Sequence, residues 1–283
     1  MRDTRPLPLT RLSQGQLNLL ETCPRKFQHI YLEQLNSPID PEIQERMVWG
    51  NQFHQLMQQR ELGLPVKSLL AEDDPLYRSV NALVEAAPEV LLNPDRGDRA
   101  AESYRTLSFQ GYLLTVVYDL LIVNRNNAQI FDWKTYPQPQ NATKIATNWQ
   151  TRLYLFVLAE TSDYPPENLS MTYWFVRLPK RPQRLTLPYN RRQHERTRED
   201  LTVLLSQLDR DKKRYFEEGI EFPQVSPQKG ECDRCHFNRR CHRFQPDNSA
   251  IARDWRNAMS PDTRFAMSSL DRFAIAEIEE ISL

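Results

Sequence analysis

Residues 113–134, LLTVVYDLLIVNRNNAQIFDWK, decide the fold of this chain because they predict a β-hairpin that carries acidic residues on both strands. The polar segment NRNN separates two apolar runs and is typical of a turn. A symmetric turn pairs Val123 with Ala128. The same register, carried back along both strands, places Asp119 directly opposite Asp132, with Cβ atoms about 5 Å apart.

The hairpin also predicts a positive partner for these carboxylates. Side chains alternate along a strand, so Asp132 and Lys134 share a face and Trp133 points to the other. Asp119 interrupts an otherwise apolar run, where an unpaired carboxylate is costly. Two neighbouring carboxylates destabilise a sheet unless a cation lies between them, which indicates a divalent metal. The alternative is an ordinary solvated strand pair, because D-x-K is short and often occurs by chance.

The composition is that of a globular α/β protein. The chain has 283 residues, 40% of them hydrophobic, and helical and strand-like segments alternate along it. Its formal net charge is zero, so any contact with nucleic acid must come from local basic patches. The opening MRDTRPLPLT contains no apolar signal core, and the longest helical apolar run, residues 153–159, is too short to span a bilayer. We therefore expect a soluble, cytoplasmic protein with no membrane partner.

The four cysteines predict a metal site that joins the two ends of the chain. Cys23 stands alone, whereas Cys232, Cys235 and Cys241 follow a C-x2-C-x5-C pattern. A reducing compartment disfavours disulfides, so a four-ligand site is the better interpretation. Zinc sites usually pair two C-x2-C knuckles, while iron–sulfur ligation accommodates a lone distant cysteine. The pattern favours an iron–sulfur cluster, with zinc as the alternative.

Helix signals locate further polar candidates in the first third of the chain. Ser13 is a predicted N-cap, and Pro24 places the preceding Cys23 at a helix junction. Pro41 opens another helix, on which His54 lies at the margin of the apolar side. Most such histidines belong to a core, so His54 alone identifies no site.

Three further strands and a long helix complete the predicted sheet and its surroundings. Glu102 begins the strand before the hairpin, and Gly111 marks the turn between them. Residues 171–178 and 184–187 predict another strand pair, and a long helix ends near Gly219.

A loop and a helix follow the hairpin directly. Residues 137–144 form a polar loop that we expect to cross the mouth of the site. The next helix is predicted to be capped by Thr147. Gln150 and Tyr154 are four residues apart and share a face, although an ordinary amphipathic helix with a half-buried tyrosine gives the same pattern.

A basic stretch predicts a nucleic-acid surface. Residues 177–198 are rich in arginine, include Tyr189 and follow Trp174 and Phe175, a mixture of charges and aromatic rings that suits a single-stranded groove. The alternative is a solvated charged face. The tail, residues 246–283, contains no motif.

These motifs resemble the RecB-type nucleases of the PD-(D/E)xK superfamily, and within it the iron–sulfur branch that includes CRISPR adaptation nucleases and the AddB nuclease domain. The resemblance extends over residues 13–241. Glu102 occupies a place where this family often has an acidic residue. The matching positions are Gly50 and His54 for the G-x-x-x-H motif, Asp119 for the first acidic residue, Asp132, Trp133 and Lys134 for D-x-K, Gln150 and Tyr154 for Q-x-x-x-Y, and Cys23, Cys232, Cys235 and Cys241 for the cluster.

The resemblance implies an α/β fold with a restriction-endonuclease-like mixed β-sheet core flanked by helices. A helical N-terminal part and a C-terminal iron–sulfur cluster segment complete it. The implied boundaries are 1–98 for the N-terminal part with one cluster cysteine and the histidine motif, 99–220 for the nuclease core, 221–245 for the cluster segment and 246–283 for the tail.

It also implies a DNA nuclease that hydrolyses phosphodiesters, acting as an exonuclease on single-stranded or end-containing DNA. The pathway would be repair, recombination or CRISPR adaptation, with protein partners from those systems. The implied catalytic residues are Asp119, Asp132, Lys134, Gln150 and Tyr154; the ligands of Mg²⁺ or Mn²⁺ are His54, Asp119, Asp132 and the Trp133 carbonyl; and the [4Fe-4S] ligands are Cys23, Cys232, Cys235 and Cys241. The alternative is a non-catalytic iron–sulfur DNA-binding scaffold of a repair complex, whose signature would be loss of Asp132 or Lys134.

Overall fold

A mixed six-stranded sheet forms the centre of the molecule. The computed structural model describes residues 10–35, 40–66, 73–92, 97–136, 141–177 and 181–243, so the predicted tail and the start of the loop over 137–144 lie outside the described residues. The strands are β1 (Thr10–Leu12), β2 (Asp98–Phe109), β3 (Tyr112–Val123), β4 (Ala128–Lys134), β5 (Leu169–Phe175) and β6 (Gln183–Pro188). Sheet and helices together confirm the predicted mixed α/β architecture.

The pairing of the strands gives β3 the central position. β2 pairs with β3 in antiparallel fashion along nearly its full length, from Asp98 opposite Val123 to Phe109 opposite Tyr112. On the other edge of β3, β1 runs parallel to its beginning and β4 antiparallel to its end. β5 then pairs in parallel with β4, and β6 pairs antiparallel with β5. The free stretch of the β3 edge between β1 and β4 is where the acidic residue of this strand lies.

Helices cover both faces of the sheet. The described helices are α1 (Gln14–Thr22), α2 (Pro24–Phe27), which continues into a π-helical turn (Gln28–Leu32), α3 (Pro41–Glu61), α4 (Pro75–Ala86), α5 (Pro88–Leu91), α6 (Ala142–Thr147), α7 (Trp149–Glu160) and α8 (Arg191–Glu218). Short 3₁₀ turns occur at Pro166–Asn168 and Pro227–Lys229. Among the described residues, none of these helices combines the length and apolarity that crossing a membrane requires.

Two hydrophobic cores result, one on each face. The first core packs residues of α1, α7 and α8 against the sheet, and Leu153 and Phe156 of α7 are fully buried there. The second core packs α3, α4 and α5 against the opposite face, around Phe53, Phe131 and Trp133. Burial of this apolar area is the main force that holds the helices to the sheet.

Several sequence predictions of helix ends are confirmed by capping contacts. The backbone N–H of Ser13 donates to Oε1 of Gln16 at 2.8 Å, which closes the first turn of α1. Cys23 lies between α1 and α2, with Pro24 at the first position of α2. Gly219 ends α8 in the left-handed conformation at φ 69°, which glycine adopts at little cost.

Three sequence predictions need correction. The strand before the hairpin begins at Asp98, not at Glu102; its polar first residues have no apolar alternation, yet they pair with the end of β3. Thr147 ends α6, and α7 is capped by Asn148, whose Oδ1 accepts from the N–H of Gln150 at 2.8 Å. The start of α6 also replaces the second half of the predicted loop over 137–144.

The predicted aromatic surface is also wrong. Trp174, Phe175 and Tyr189 are all buried, because β5 is covered on both faces and Tyr189 packs into the first core. The arginines of this region therefore lie on the surface without an exposed stacking platform from these three rings.

Candidate active site

The predicted hairpin register holds from the turn back to Leu120, the residue that follows Asp119 in the chain. Val123 pairs with Ala128 and Leu120 with Phe131, after which the β3–β4 ladder ends. Asp119 lies outside this ladder, so the predicted pairing of Asp119 opposite Asp132 does not form. Its Oδ2 accepts a hydrogen bond of 2.6 Å from the backbone N–H of Trp133, so a side chain takes the place that the main chain of β3 would occupy.

This contact also orients the backbone of Trp133. In a strand, the N–H and C=O of one residue point to the same edge, and the Lys134 carbonyl points the other way, accepting from the N–H of Val176 at 2.9 Å. The Trp133 carbonyl therefore faces the gap in which Asp119 lies. The two strands separate here and leave a polar notch between them.

At Asp119 the side chains of β3 also change the face of the sheet to which they point. On β3, Val116 and Tyr118 point into the first core, whereas Leu120 points into the second. The two-residue alternation of side chains thus breaks at Asp119. Across the β2–β3 ladder the residue at this level is Glu102, whose φ of 49° is uncommon for a residue with a side chain. Such backbone conformations cost free energy and cluster at functional sites.

This change of face brings Glu102 and Asp119 together with His54 of α3. One ligand atom from each of the three side chains lies within 4.8 Å of the other two, and Nδ1 of His54 is 3.3 Å from Oδ1 of Asp119. Two carboxylates this close repel each other, and a cation bound between them removes the repulsion. Two oxygen donors and one imidazole nitrogen fit Mg²⁺ or Mn²⁺, so these residues could bind a divalent metal.

The position of α3 explains the glycine of the G-x-x-x-H pattern. A Cβ atom added at Gly50 would lie 3.0 Å from Oγ1 of Thr135, the residue after Lys134. At the C-terminal end of α3, Glu61 Oε2 accepts from Nε of Arg99 on β2 at 2.9 Å. The helix is thus tied to β2 at its C-terminal end and approaches the end of β4 closely at its middle, which sets the depth of His54 in the notch.

We expect Gly50→Ala to weaken metal binding without unfolding the protein. The added methyl group would push α3 away from Thr135 by a few tenths of an ångström. Because a 1 Å misplacement of a functional group can cost about 10²-fold in rate, we expect this smaller shift to lower Mn²⁺ affinity by up to about tenfold. Stability should change little, because alanine is favoured over glycine within a helix by roughly 0.5–1 kcal/mol. Mn²⁺ titration and thermal unfolding measure the two effects. Adding Thr135→Ala removes the opposing side chain and should restore affinity; an unrestored double variant would contradict this explanation.

Asp132, Lys134 and Gln150 form a second polar group next to the first. Nζ of Lys134 lies 2.8 Å from Oδ1 of Asp132 and donates to Oε1 of Gln150 at 2.8 Å. The amide of Gln150 donates to Oδ2 of Asp132 at 2.7 Å. Asp132 is 1% exposed and Lys134 8% exposed, so this is a buried ion pair whose geometry a glutamine fixes.

Tyr173 forms the floor below this ion pair. Nζ of Lys134 lies 5.5 Å from the centre of its ring, and its hydroxyl shares a hydrogen bond of 2.7 Å with that of Thr151. Burial, and next the nearby negative charge of Asp132, raise the pKa of the Tyr173 hydroxyl far above its usual value. Tyr173 therefore remains neutral and supports the cluster by packing and cation–π attraction. A tyrosine within an apolar strand gave no sequence signal for this role.

Tyr154, in contrast, lies in the first core. It is 3% exposed, its ring contacts that of Tyr118 edge-on at 5.4 Å, and its carbonyl oxygen accepts from the Tyr118 hydroxyl at 3.0 Å. Gln150 reaches the polar cluster, whereas Tyr154 packs beneath β3.

The four cysteine thiols lie within electrostatic range of one another. Burial raises the pKa of the Cys241 thiol, and the neighbouring thiols of Cys235, Cys23 and Cys232 raise it further. The same combination of burial and nearby thiols raises the pKa of Cys235, while Lys26 lowers it. Four thiols within electrostatic range, with basic side chains beside them, are a donor set that fits a metal or cluster.

Direct hydrogen bonds also join the two ends of the chain near the cysteines. Nε of Arg25 donates to the carbonyl of Phe222 at 2.7 Å, and Gln28 accepts from the N–H of Phe222 at 2.6 Å. The backbone N–H of Arg25 donates to the carbonyl of Pro223 at 3.0 Å. The C-terminal segment therefore has contacts to α2 and to the π-helical turn in addition to its cysteines.

The sheet with its notch, acidic group and buried lysine defines a nuclease class of fold and site. Residues 11–242 match the family model of the PD-(D/E)XK nuclease superfamily. The chain belongs to this superfamily. Members of the superfamily are nucleases that use divalent metals and act on DNA.

One solved structure agrees with the fold. A "Putative exonuclease" from Eubacterium rectale aligns with a TM-score of 0.50 and 8% identity, over 86% of this chain and 92% of that one. The structure of SSO0001 aligns with a TM-score of 0.35 and 15% identity, over 83% of this chain and 87% of that one. No curated protein matches the chain.

Proposed function

We propose that this protein is a metal-dependent DNA nuclease that hydrolyses phosphodiester bonds, acting as an exonuclease on single-stranded or end-containing DNA. One observation carries the proposal. The metal-binding group of His54, Glu102 and Asp119 lies beside the buried Lys134. Trp133 connects them, because its backbone N–H donates to Asp119 and the residues on either side of it, Asp132 and Lys134, form the ion pair.

His54, Glu102 and Asp119 would hold Mg²⁺ or Mn²⁺, with the Trp133 carbonyl facing the same notch. A bound divalent cation makes water nucleophilic at neutral pH and stabilises charge on a phosphate. Asp132 remains a candidate ligand, because a carboxylate offers about four lone-pair positions and can contact Lys134, Gln150 and a metal together. The imidazole nitrogen suits Mn²⁺ better than Mg²⁺, which prefers oxygen ligands.

Lys134 would supply the positive charge that the protein itself contributes. Its ammonium group is fixed by Asp132 and Gln150, so it meets a scissile phosphate without first being ordered. In this position it offsets phosphate charge and orients the attacking water. Gln150 acts as its positioning residue. We assign Tyr154 the role of packing under these elements rather than contacting DNA, since it is buried.

We further propose that Cys23, Cys232, Cys235 and Cys241 hold a [4Fe-4S] cluster, with zinc as the alternative. The convergence of four partly buried thiols near Arg25 and Lys26 supports a shared metal centre. A cross-link between distant parts of the chain stabilises mainly by restricting the unfolded state. The cluster would therefore be a structural staple, and the pathway would be DNA repair, recombination or CRISPR adaptation in the cytoplasm.

Cys23→Ser should release the cluster and loosen the C-terminal segment. A long closed loop is worth up to about 5 kcal/mol in the chain-entropy model. The loss should be smaller here, because the hydrogen bonds of Arg25 and Gln28 to Phe222 remain. Iron and sulfide content after anaerobic purification, together with limited proteolysis, provide the readout. A colourless, iron-free wild type that is stable and active would contradict the cluster, and stoichiometric zinc would establish the alternative.

The experiment that tests the nuclease proposal is degradation of end-labelled single-stranded and duplex DNA with Mn²⁺, with Mg²⁺ and with EDTA. We expect shortening from the labelled single strand with Mn²⁺ at least as fast as with Mg²⁺, and none with EDTA. A label at the 5′ end in one sample and at the 3′ end in another identifies the polarity. Absence of cleavage with every metal, for protein that binds the same DNA, would contradict the proposal and favour the non-catalytic scaffold.

A further inference from the structure

A buried histidine lies next to the cysteine site. His29 belongs to the π-helical turn Gln28–Leu32, which follows α2 one turn after Cys23, and it is 1% exposed. Its Nε2 lies 3.6 Å from Sγ of Cys241, and its Nδ1 lies 2.9 Å from Oε2 of Glu33. Single π-helical turns often occur at functional sites. His29 thus connects a carboxylate to one thiol of the site.

Neighbouring side chains fix both ends of this connection. Glu33 accepts from Nε2 of Gln28 at 2.6 Å and from Nη2 of Arg240 at 3.2 Å. The ring of Phe237 lies 5.0 Å from that of His29. The imidazole therefore has little freedom to rotate, and a carboxylate directs its second nitrogen at Cys241.

A hydrogen bond to a thiolate ligand changes the properties of the metal centre behind it. It withdraws negative charge from sulfur, which favours the reduced and more negative state of a cluster, and hydrogen bonds to sulfur are among the determinants of cluster potential. Groups that hydrogen-bond to ligands also fix their orientation, and their loss typically lowers metal affinity about 10–100-fold.

We propose that His29 is a positioning residue of the cysteine site: as the imidazolium it donates Nδ1–H to Glu33 and Nε2–H to Sγ of Cys241, and thereby stabilises the bound cluster. This inference rests on the proposed function, namely on the assignment of the four cysteines as ligands. It adds a residue outside the C-x2-C-x5-C pattern and links cluster retention to Glu33 and Arg240.

The test compares His29→Leu with His29→Gln in anaerobically reconstituted full-length protein. Leucine fills the buried volume without a donor, whereas the glutamine amide places an N–H near the position of Nε2. His236→Leu serves as control, because it removes an exposed imidazole from the same segment as the cysteines. The measurements are iron and sulfide content, the rate of iron release to a chelator, and the midpoint potential from a redox titration followed by electron paramagnetic resonance.

For His29→Leu we expect iron release at least about tenfold faster than in wild type and a more negative midpoint potential. His29→Gln should recover most of both values, and His236→Leu should behave like wild type. Equal potentials and release rates for wild type and His29→Leu would overturn the inference. Equal defects in His29→Leu and His29→Gln would also overturn it, because shape rather than hydrogen bonding would then be the cause.

Two other results would decide whether His29 is itself a ligand and whether the site holds iron. A nitrogen coupling from a directly coordinated imidazole, lost in His29→Leu, would make His29 a ligand and overturn the positioning role. Wild-type protein without iron would refute the cluster itself; if it contains zinc instead, zinc release from His29→Leu at the wild-type rate overturns the inference, and faster release supports it.

Discussion

Asp119→Asn is expected to lower Mn²⁺-dependent DNA cleavage about 10³-fold and to abolish tight Mn²⁺ binding, with the fold unchanged. The reason is specific to the geometry of the notch. Oδ1 of Asp119 lies beside His54 in the metal-binding group, whereas Oδ2 accepts the N–H of Trp133. Asparagine keeps one oxygen for Trp133 but loses the charge that attracts a cation.

Stability separates this explanation from a general loss of structure. Removing one of two neighbouring negative charges relieves their repulsion in the metal-free protein, so thermal unfolding of Asp119→Asn should occur at or slightly above the wild-type temperature. Asp163→Asn makes the same chemical change at an exposed position after α7 and is the matched control. Substantial activity in Asp119→Asn, or a large drop in its unfolding temperature, would contradict the assigned role.

Lys134→Met is expected to abolish cleavage and to destabilise the protein together. Lys134 and Asp132 form a pair whose side chains are 10% and 2% exposed, so removal of the lysine leaves a buried carboxylate without its cation. Breaking such a pair costs about 3–5 kcal/mol. Loss of a fixed positive charge at the phosphate should cost about 10³-fold in rate as well.

A double variant distinguishes the catalytic from the structural contribution of Lys134. Asp132→Asn combined with Lys134→Met removes both charges, and replacing a buried ion pair by neutral groups is often close to neutral for stability. We therefore expect the double variant to unfold near the wild-type temperature while remaining inactive. Chemical denaturation and end-labelled cleavage assays give the two values. Recovery of activity along with stability would show that Lys134 serves folding alone.

The sequence predicts the parts of this site that depend on local pattern. The NRNN turn and the apolar runs beside it determine the register from Val123 opposite Ala128 to Leu120 opposite Phe131. The alternation beyond it correctly places Asp132 and Lys134 on one face and Phe131 and Trp133 in the second core. These features need no information from distant segments.

The features that sequence analysis missed depend on contacts between distant segments. Nothing in the residues around Glu102 indicates a positive φ. It occurs beside Asp119, where the side chains of β3 change the face of the sheet to which they point. The apolar face of α7 is wide enough to bury Tyr154, and this cannot be read from its spacing to Gln150. His29 is likewise an ordinary helical residue until the fold places it 3.6 Å from Cys241, more than two hundred positions later.

Gly50 in α3 depends both on a local pattern and on a contact with a distant segment. The spacing of Gly50 and His54 matches a motif, but its physical reason is the approach of the helix to Thr135, which follows the D-x-K residues. The motif therefore identifies Gly50, whereas the reason for the glycine lies in the contact with Thr135.

The most direct test of the central claim is pulsed electron paramagnetic resonance of Mn²⁺ added to the protein, with histidine labelled by ¹⁵N. Binding at His54, Glu102 and Asp119 predicts one tightly bound Mn²⁺ with a single directly coordinated histidine nitrogen, a signal that is lost in His54→Gln and absent in Asp119→Asn. Failure of wild-type protein to bind Mn²⁺, or an unchanged nitrogen coupling in His54→Gln, would contradict the account.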